Sequence, residues 1–233
     1  MLEYNTAIPL FPLNVVLFPG MMLPLHIFEK RYRTMTQECV DTGQPFGVVL
    51  VKSDETVKAN HPGSYWHELY DIGTTAQITA LEHLQDGRMN LVAVGQDRFI
   101  IKNIEIGPDN LLIGRVDPYP LQDEGVPEIE RLTQRLRPMV RQYIDHLADA
   151  SGEDLSNATL PADPTDLAFL AGTAIQGPLS DKQKLLSARS LGALMTNMVS
   201  MLHREDKILT YMLKAYQTHR QVQQLPFVDY CLN

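Results

Sequence analysis

The chain has 233 residues, 44% of them apolar, and a formal net charge of −8. No apolar run approaches the roughly 18 residues a bilayer span needs, and no basic stretch leads into a long apolar one, so neither a membrane anchor nor a signal peptide is expected. The acidic balance disfavours non-specific binding to phosphate backbones, although residues 181–233 carry +3 against −11 for residues 1–180.

The first thirty residues are short apolar runs broken by Pro9, Pro12, Pro19 and Pro24. Proline removes a ladder donor, so each run reads as a brief strand or a sheet edge, and no helix can cross them. At Phe28 the period changes: Phe28, Tyr32, Met35 and Cys39 recur at helical spacing. Cys39 falls on the apolar face of that helix, and Cys231 lies near the end of the chain. Two such distant cysteines favour a reducing, cytoplasmic setting over a structural disulfide.

Residues Phe46–Val51 form a continuous apolar strand of the kind buried on both faces. A polar, turn-forming stretch follows over residues 52–69. Thr74–Leu81 and Met89–Gly95 alternate on either side of Asp86-Gly87, a strong hairpin signal. Asp97–Ile101 and Leu111–Val116 read as two more short strands. This succession predicts a small closed or half-closed barrel.

After a Pro-rich linker over residues 118–127, helical periodicity takes over. Ile129, Leu132, Leu136, Met139, Tyr143 and Leu147 mark one helix, with Pro138 expected to kink it. Asp163 caps the next helix and Pro164 suits its first turn. Ser180 with Gln183 makes a capping-box pattern. From Ser190 to about Gln221 a long apolar stripe predicts a helix that either breaks near His203–Asp206 or projects beyond the body.

These motifs resemble the Lon N-terminal domain family. Its proline-rich run is matched by Pro9-Leu10-Phe11-Pro12-Leu13, Val16-Leu17-Phe18-Pro19-Gly20, Leu23-Pro24-Leu25 and Ile27-Phe28-Glu29 with Arg31-Tyr32. Further matches are Ile72-Gly73-Thr74, Asp86-Gly87-Arg88 with Asn90, and Gly95 with Arg98-Phe99. In the helical half, Asp163-Pro164, Leu167-Ala168, Lys182-Gln183 and Leu185-Leu186 continue the likeness. The resemblance implies an α+β fold: a PUA-like β-barrel subdomain over residues 1–120, then an α-helical bundle over 121–233 with one long last helix. Together they form one Lon N-terminal-type domain.

No catalytic constellation stands out. The P-loop, the G-x-S-x-G elbow and G-x-G-x-x-G are absent, and nothing resembles the family's Ser-Lys protease motif. His61, His67 and Glu68 share one loop but lack the four closed ligands of a structural zinc site, so neither metal nor cofactor is expected. The resemblance implies a non-enzymatic module that recognises exposed apolar segments of unfolded or partly unfolded client proteins, alone or with a separate protease. Candidate peptide-binding residues are Met21, Met22, Leu23, Glu29, Lys30, Arg31, Tyr65 and Trp66. The alternative reading, RNA binding through the PUA-like barrel, is opposed by the acidic barrel and the lack of an aromatic-basic strand.

Overall fold

The computed structural model describes residues 2–52, 69–122, 125–152 and 159–223, the last eight by backbone alone. His61, Tyr65, Trp66, His67, Glu68 and Cys231, named above, lie outside the described residues. Among the described residues six strands come first, with one α-helix between them: β1 (Thr6–Leu13), β2 (Met22–Ile27), α1 (Lys30–Thr42), β3 (Phe46–Leu50), β4 (Ile72–His83), β5 (Met89–Ile106) and β6 (Leu112–Pro118). Four helices follow: α2 (Val126–Ser151), α3 (Pro164–Ala174), α4 (Leu179–Leu186) and α5 (Leu191–Gln223). The fold is α+β, a barrel followed by a helical bundle.

The strand order is β2-β5-β4-β3-β1-β6, and β5 also pairs with β6. Five strands thereby close into a ring, and β2 is added outside it along β5. The two strands expected over Met89–Gly95 and Asp97–Ile101 are one, β5. Its first half pairs with β2, and its second half, from Phe99, pairs with β6. Register shifts opposite Thr74–Ala76 and at Ile101–Asn103 let it turn from one partner to the other.

β1 is no edge strand despite its two prolines. Residues 6–10 pair with β6 and residues 10–13 with β3. Pro9 and Pro12 thus each stand where only one neighbour is paired, which an interior strand tolerates. β3 is buried along its whole length. The Asp86-Gly87 turn forms as expected, with Gly87 at φ +79° and its N–H donating to the Leu84 carbonyl at 3.0 Å.

α1 closes the barrel flank with Tyr32, Met35, Thr36 and Cys39, and Tyr32 stacks on Phe11 with ring centroids 4.0 Å apart. Phe28 precedes this helix and is exposed, so Thr36 rather than Phe28 completes the buried stripe. α2 continues through Pro138, which sits on the wet side, where water can satisfy the carbonyl its ring leaves unbonded. α5 does not break. It extends ~50 Å at 1.5 Å per residue, and no residue from His203 to Ala215 is buried.

Arg98 of β5 joins barrel to bundle. Its Nη1 donates to the carbonyls of Leu186 (2.5 Å) and Ala188 (2.8 Å), at the carbonyl end of α4. The guanidinium is buried between the rings of Tyr119 and Phe169. Burial pushes its pKa down to about 10, so it remains cationic at neutral pH. Gln183 does not complete a capping box; buried, it donates to the Ile72 carbonyl of β4 at 2.8 Å. Lys182 donates to the Ile175 carbonyl behind α3 at 2.9 Å. Phe18 enters the bundle against Phe169 and lies over Gly172, where a Cβ would stand 2.7 Å from its ring.

Replacing Arg98 leaves two buried carbonyls without their donor. Arg98→Met is expected to cost about 2–4 kcal/mol in urea unfolding; a loss below about 1 kcal/mol contradicts this role. Burial raises the Cys39 thiol pKa to about 11 from an ordinary value of 9.0. The folded chain therefore holds that proton more tightly than the unfolded one, and stability falls as pH rises from about 9 to about 11. At pH 8, mass spectrometry should find Cys39 unalkylated in the native chain and alkylated in denaturant.

Candidate functional site

β2 ends the strand order: among the described residues it pairs with β5 on one side and with no strand on the other. Its burial alternates: Leu23 and Ile27 are buried, while Met22, Pro24 and His26 are exposed. The Gly95 N–H donates to the Met21 carbonyl at 3.0 Å. In an antiparallel ladder this makes Leu23, Leu25 and Ile27 the residues that bond β5. The backbone groups of Met22, Pro24 and His26 then face the open side, where the donor that Pro24 lacks is not needed for the ladder.

The outer face of β2, β5 and β4 is set in rows. Met22 lies opposite Val94, and Pro24 opposite Val92, which faces Ala80. The last row is polar: His26, Asn90 and Glu82. His26 Nδ1–H donates to Asn90 Oδ1 at 2.7 Å, and Asn90 Nδ2 donates to Glu82 Oε2 at 2.9 Å. Arg88 Nη1 donates to His26 Nε2 at 3.3 Å. This ladder forms one wall of a concavity of about 530 Å³ whose other walls are Pro24, Leu25, Ala80, Leu81, Leu91 and Val92. Met22, 69% exposed, and Phe28, 63% exposed, stand at the two ends of β2.

The other sequence candidates lie elsewhere. Leu23 belongs to the barrel core, and Met21 packs half-buried between barrel and bundle. Arg31 ion-pairs with Glu29 at 2.9 Å, covers the Tyr32 ring and donates to the Asn110 carbonyl at 3.3 Å. Lys30 lies 3.5 Å from Asp109. Glu29, Lys30 and Arg31 therefore tie the start of α1 to the turn between β5 and β6. Val92 and Ala80 escaped the sequence reading; the only signal for them was the period-two alternation of β4 and β5.

This surface offers apolar walls, backbone groups and a satisfied polar ladder. It presents no activated nucleophile or paired acid and base. Among the described residues no group of three or more His, Cys, Asp or Glu could hold a metal ion, and no helix is long and apolar enough to cross a membrane. Leu23→Ala is expected to cost about 2–5 kcal/mol, whereas Met22→Ala should stay within about 0.5 kcal/mol of the parent. Equal losses in urea unfolding would contradict the alternation.

Comparison with known proteins extends this picture. The family model of the ATP-dependent protease La (LON) substrate-binding domain matches residues 7–204. Lon protease 2 of Myxococcus xanthus is 29% identical over 207 residues, covering 87% of this chain and 24% of that protein. The Lon protease of Anaeromyxobacter dehalogenans is 27% identical over 212 residues, covering 89% and 24%. The chain thus spans about a quarter of the length of these relatives. The crystal structure of a Lon N-terminal domain protein from Xanthomonas campestris superposes with a TM-score of 0.60 at 23% identity, over 84% of this chain and 98% of that one. The N-terminal domain of a Mycobacterium avium complex Lon protease gives a TM-score of 0.63 at 18% identity, over 85% and 98%.

Proposed function

Because the chain belongs to the family of the Lon substrate-binding domain, we propose that it is a non-catalytic polypeptide-recognition module of the cytoplasm. It holds exposed apolar segments of unfolded or partly unfolded proteins on the outer face and open edge of β2. Cleavage of a held client is the work of a separate protease.

The observation that carries this reading is the exposed apolar pair Met22 and Phe28 at the ends of an open edge strand, beside an apolar-walled concavity. An extended client segment fits there in two ways. Its backbone pairs with the outward groups of Met22 and His26, and its alternate side chains enter the concavity. The missing N–H of Pro24 breaks the run of donors, which discourages edge-to-edge stacking of copies while leaving short segments able to pair.

The test is binding of a permanently unfolded, reduced and alkylated protein to the full chain, followed by fluorescence anisotropy. Met22→Asp with Phe28→Asp is expected to weaken binding about tenfold by placing charge where apolar contact is made. Undiminished binding by that variant moves the client surface elsewhere. Hydrolysis of peptide bonds by the purified chain overturns the reading.

A further inference from the structure

We propose that His26 couples the β2 site to proton uptake: the site holds its clients while the imidazole is neutral and loosens them when the imidazole gains a proton. This regulation rests on the β2 reading above. Its physical basis is a relay of five side chains, Glu82, Asn90, His26, Arg88 and Asp86, at the last row of the outer face.

The relay fixes where each hydrogen sits. A carboxylate only accepts, so the Asn90 amide nitrogen must be the atom facing Glu82 Oε2, 2.9 Å away. Asn90 Oδ1 is thereby turned to His26 Nδ1 at 2.7 Å, and Nδ1 must carry a proton. On the other side of the ring, Arg88 Nη1 lies 3.3 Å from Nε2. A guanidinium has donors and no acceptor, so Nε2 must offer a lone pair. One form of imidazole meets both conditions, the neutral tautomer with its proton on Nδ1. A second proton sets N–H against N–H, and cation against cation, across that contact.

Arg88 is anchored where it stands. Its Nε donates to Asp86 Oδ2 at 2.6 Å, and its backbone N–H donates to Asp86 Oδ1 at 3.1 Å. That N–H holds the Asp86 carboxyl below the usual carboxylate range, so the anchor stays charged in mild acid. Glu82 favours a proton on the ring, but only across the Asn90 amide, whereas Arg88 opposes it in direct contact. The other charged and titratable groups nearby are engaged or turned away. His83 lies opposite buried Met89, on the other face. Arg33 of α1 donates to the Gly87 carbonyl at 2.8 Å, and Glu29 and Lys30 are paired with Arg31 and Asp109.

Clients meet this ring directly. His26 is exposed and lines the concavity beside β2. An apolar segment laid against it takes water from the imidazole, which penalises the charged form alone. Binding and protonation therefore oppose each other, and the coupling is reciprocal. Acid weakens the hold on a client, and a held client drives the proton off the ring.

The experiment uses the full chain and the reduced and alkylated unfolded protein. A two-bond proton–nitrogen correlation spectrum at about pH 8 should place the His26 proton on Nδ1. The signal is assigned by its absence from His26→Gln. Affinity should fall about fivefold between about pH 8 and about pH 5.5, the span over which imidazoles titrate. Added client should move the His26 titration to lower pH. A glutamine amide can donate to Asn90 and accept from Arg88 without ionising, so His26→Gln should bind equally well at both ends of that span. The tautomer is read on the parent chain and does not depend on how the variant folds. A proton on Nε2, equal affinity of the parent at both pH values, or the same fall in His26→Gln overturns the linkage and leaves the β2 site standing. Undiminished binding by Met22→Asp with Phe28→Asp overturns the site, and the linkage with it.

Discussion

The buried guanidinium of Arg98 is the constraint on which the arrangement of barrel and bundle depends. A charge taken out of water must find fixed dipoles. Here they are the carbonyls of Leu186 and Ala188 at the end of α4, supplemented by the ring faces of Tyr119 and Phe169. Since Arg98 belongs to β5 and its acceptors to the bundle, the barrel's longest strand fixes where α4 ends. The neighbouring bonds point the same way. Gln183 reaches β4, the Tyr119 hydroxyl donates to the Ser187 carbonyl at 3.2 Å, and the Gln122 N–H donates to the Arg189 carbonyl at 2.8 Å. Each ties α4 or the short turn after it to the barrel.

This gives the family's motifs a physical meaning, and the meaning is mostly architectural. Val16 and Phe18 leave the proline-rich opening to join the bundle core, while Leu17 between them turns into the barrel core. Thr74 Oγ1 donates to the Leu17 carbonyl at 2.6 Å and holds that segment in place. Lys182 and Gln183 cross to α3 and β4, and Leu185 and Leu186 fill the interface behind them. Such residues explain why a chain can belong to the family without their saying what it binds. Binding is left to the parts that closure of the ring does not use.

Two parts are left over in that sense. β2 lies outside the closed ring, and among the described residues no strand pairs with its far side. α5 outruns the bundle, so Tyr211 and Met212 remain 75% and 61% exposed. Both follow from geometry: a five-strand ring has no place for a sixth strand, and a 33-residue helix is longer than the bundle beside it. Surfaces that the fold does not need for its own stability are those free to meet other molecules.

What the sequence by itself determined is local. Asp163 caps α3 through the N–H groups of Thr165 and Asp166, Asp86-Gly87 turns a hairpin, and Phe46–Leu50 is a buried strand. Each depends on one residue's own chemistry or on a short period. The apolar stripe of α5 is core only in its first part: Met195, Met198 and Met201 are buried, while Met212 on the same stripe is exposed. What only the tertiary structure decided involves partners far along the chain. Prolines did not place β1 at an edge, because two different neighbours share its length. Gln183 became a barrel contact rather than a cap, because a carbonyl 111 residues away stood closer to its need. Phe28 fell outside the helix it seemed to begin. The candidate surface draws on β2, β4 and β5, and long-range register, which no local pattern encodes, brings Met22, Val92 and Ala80 onto one face.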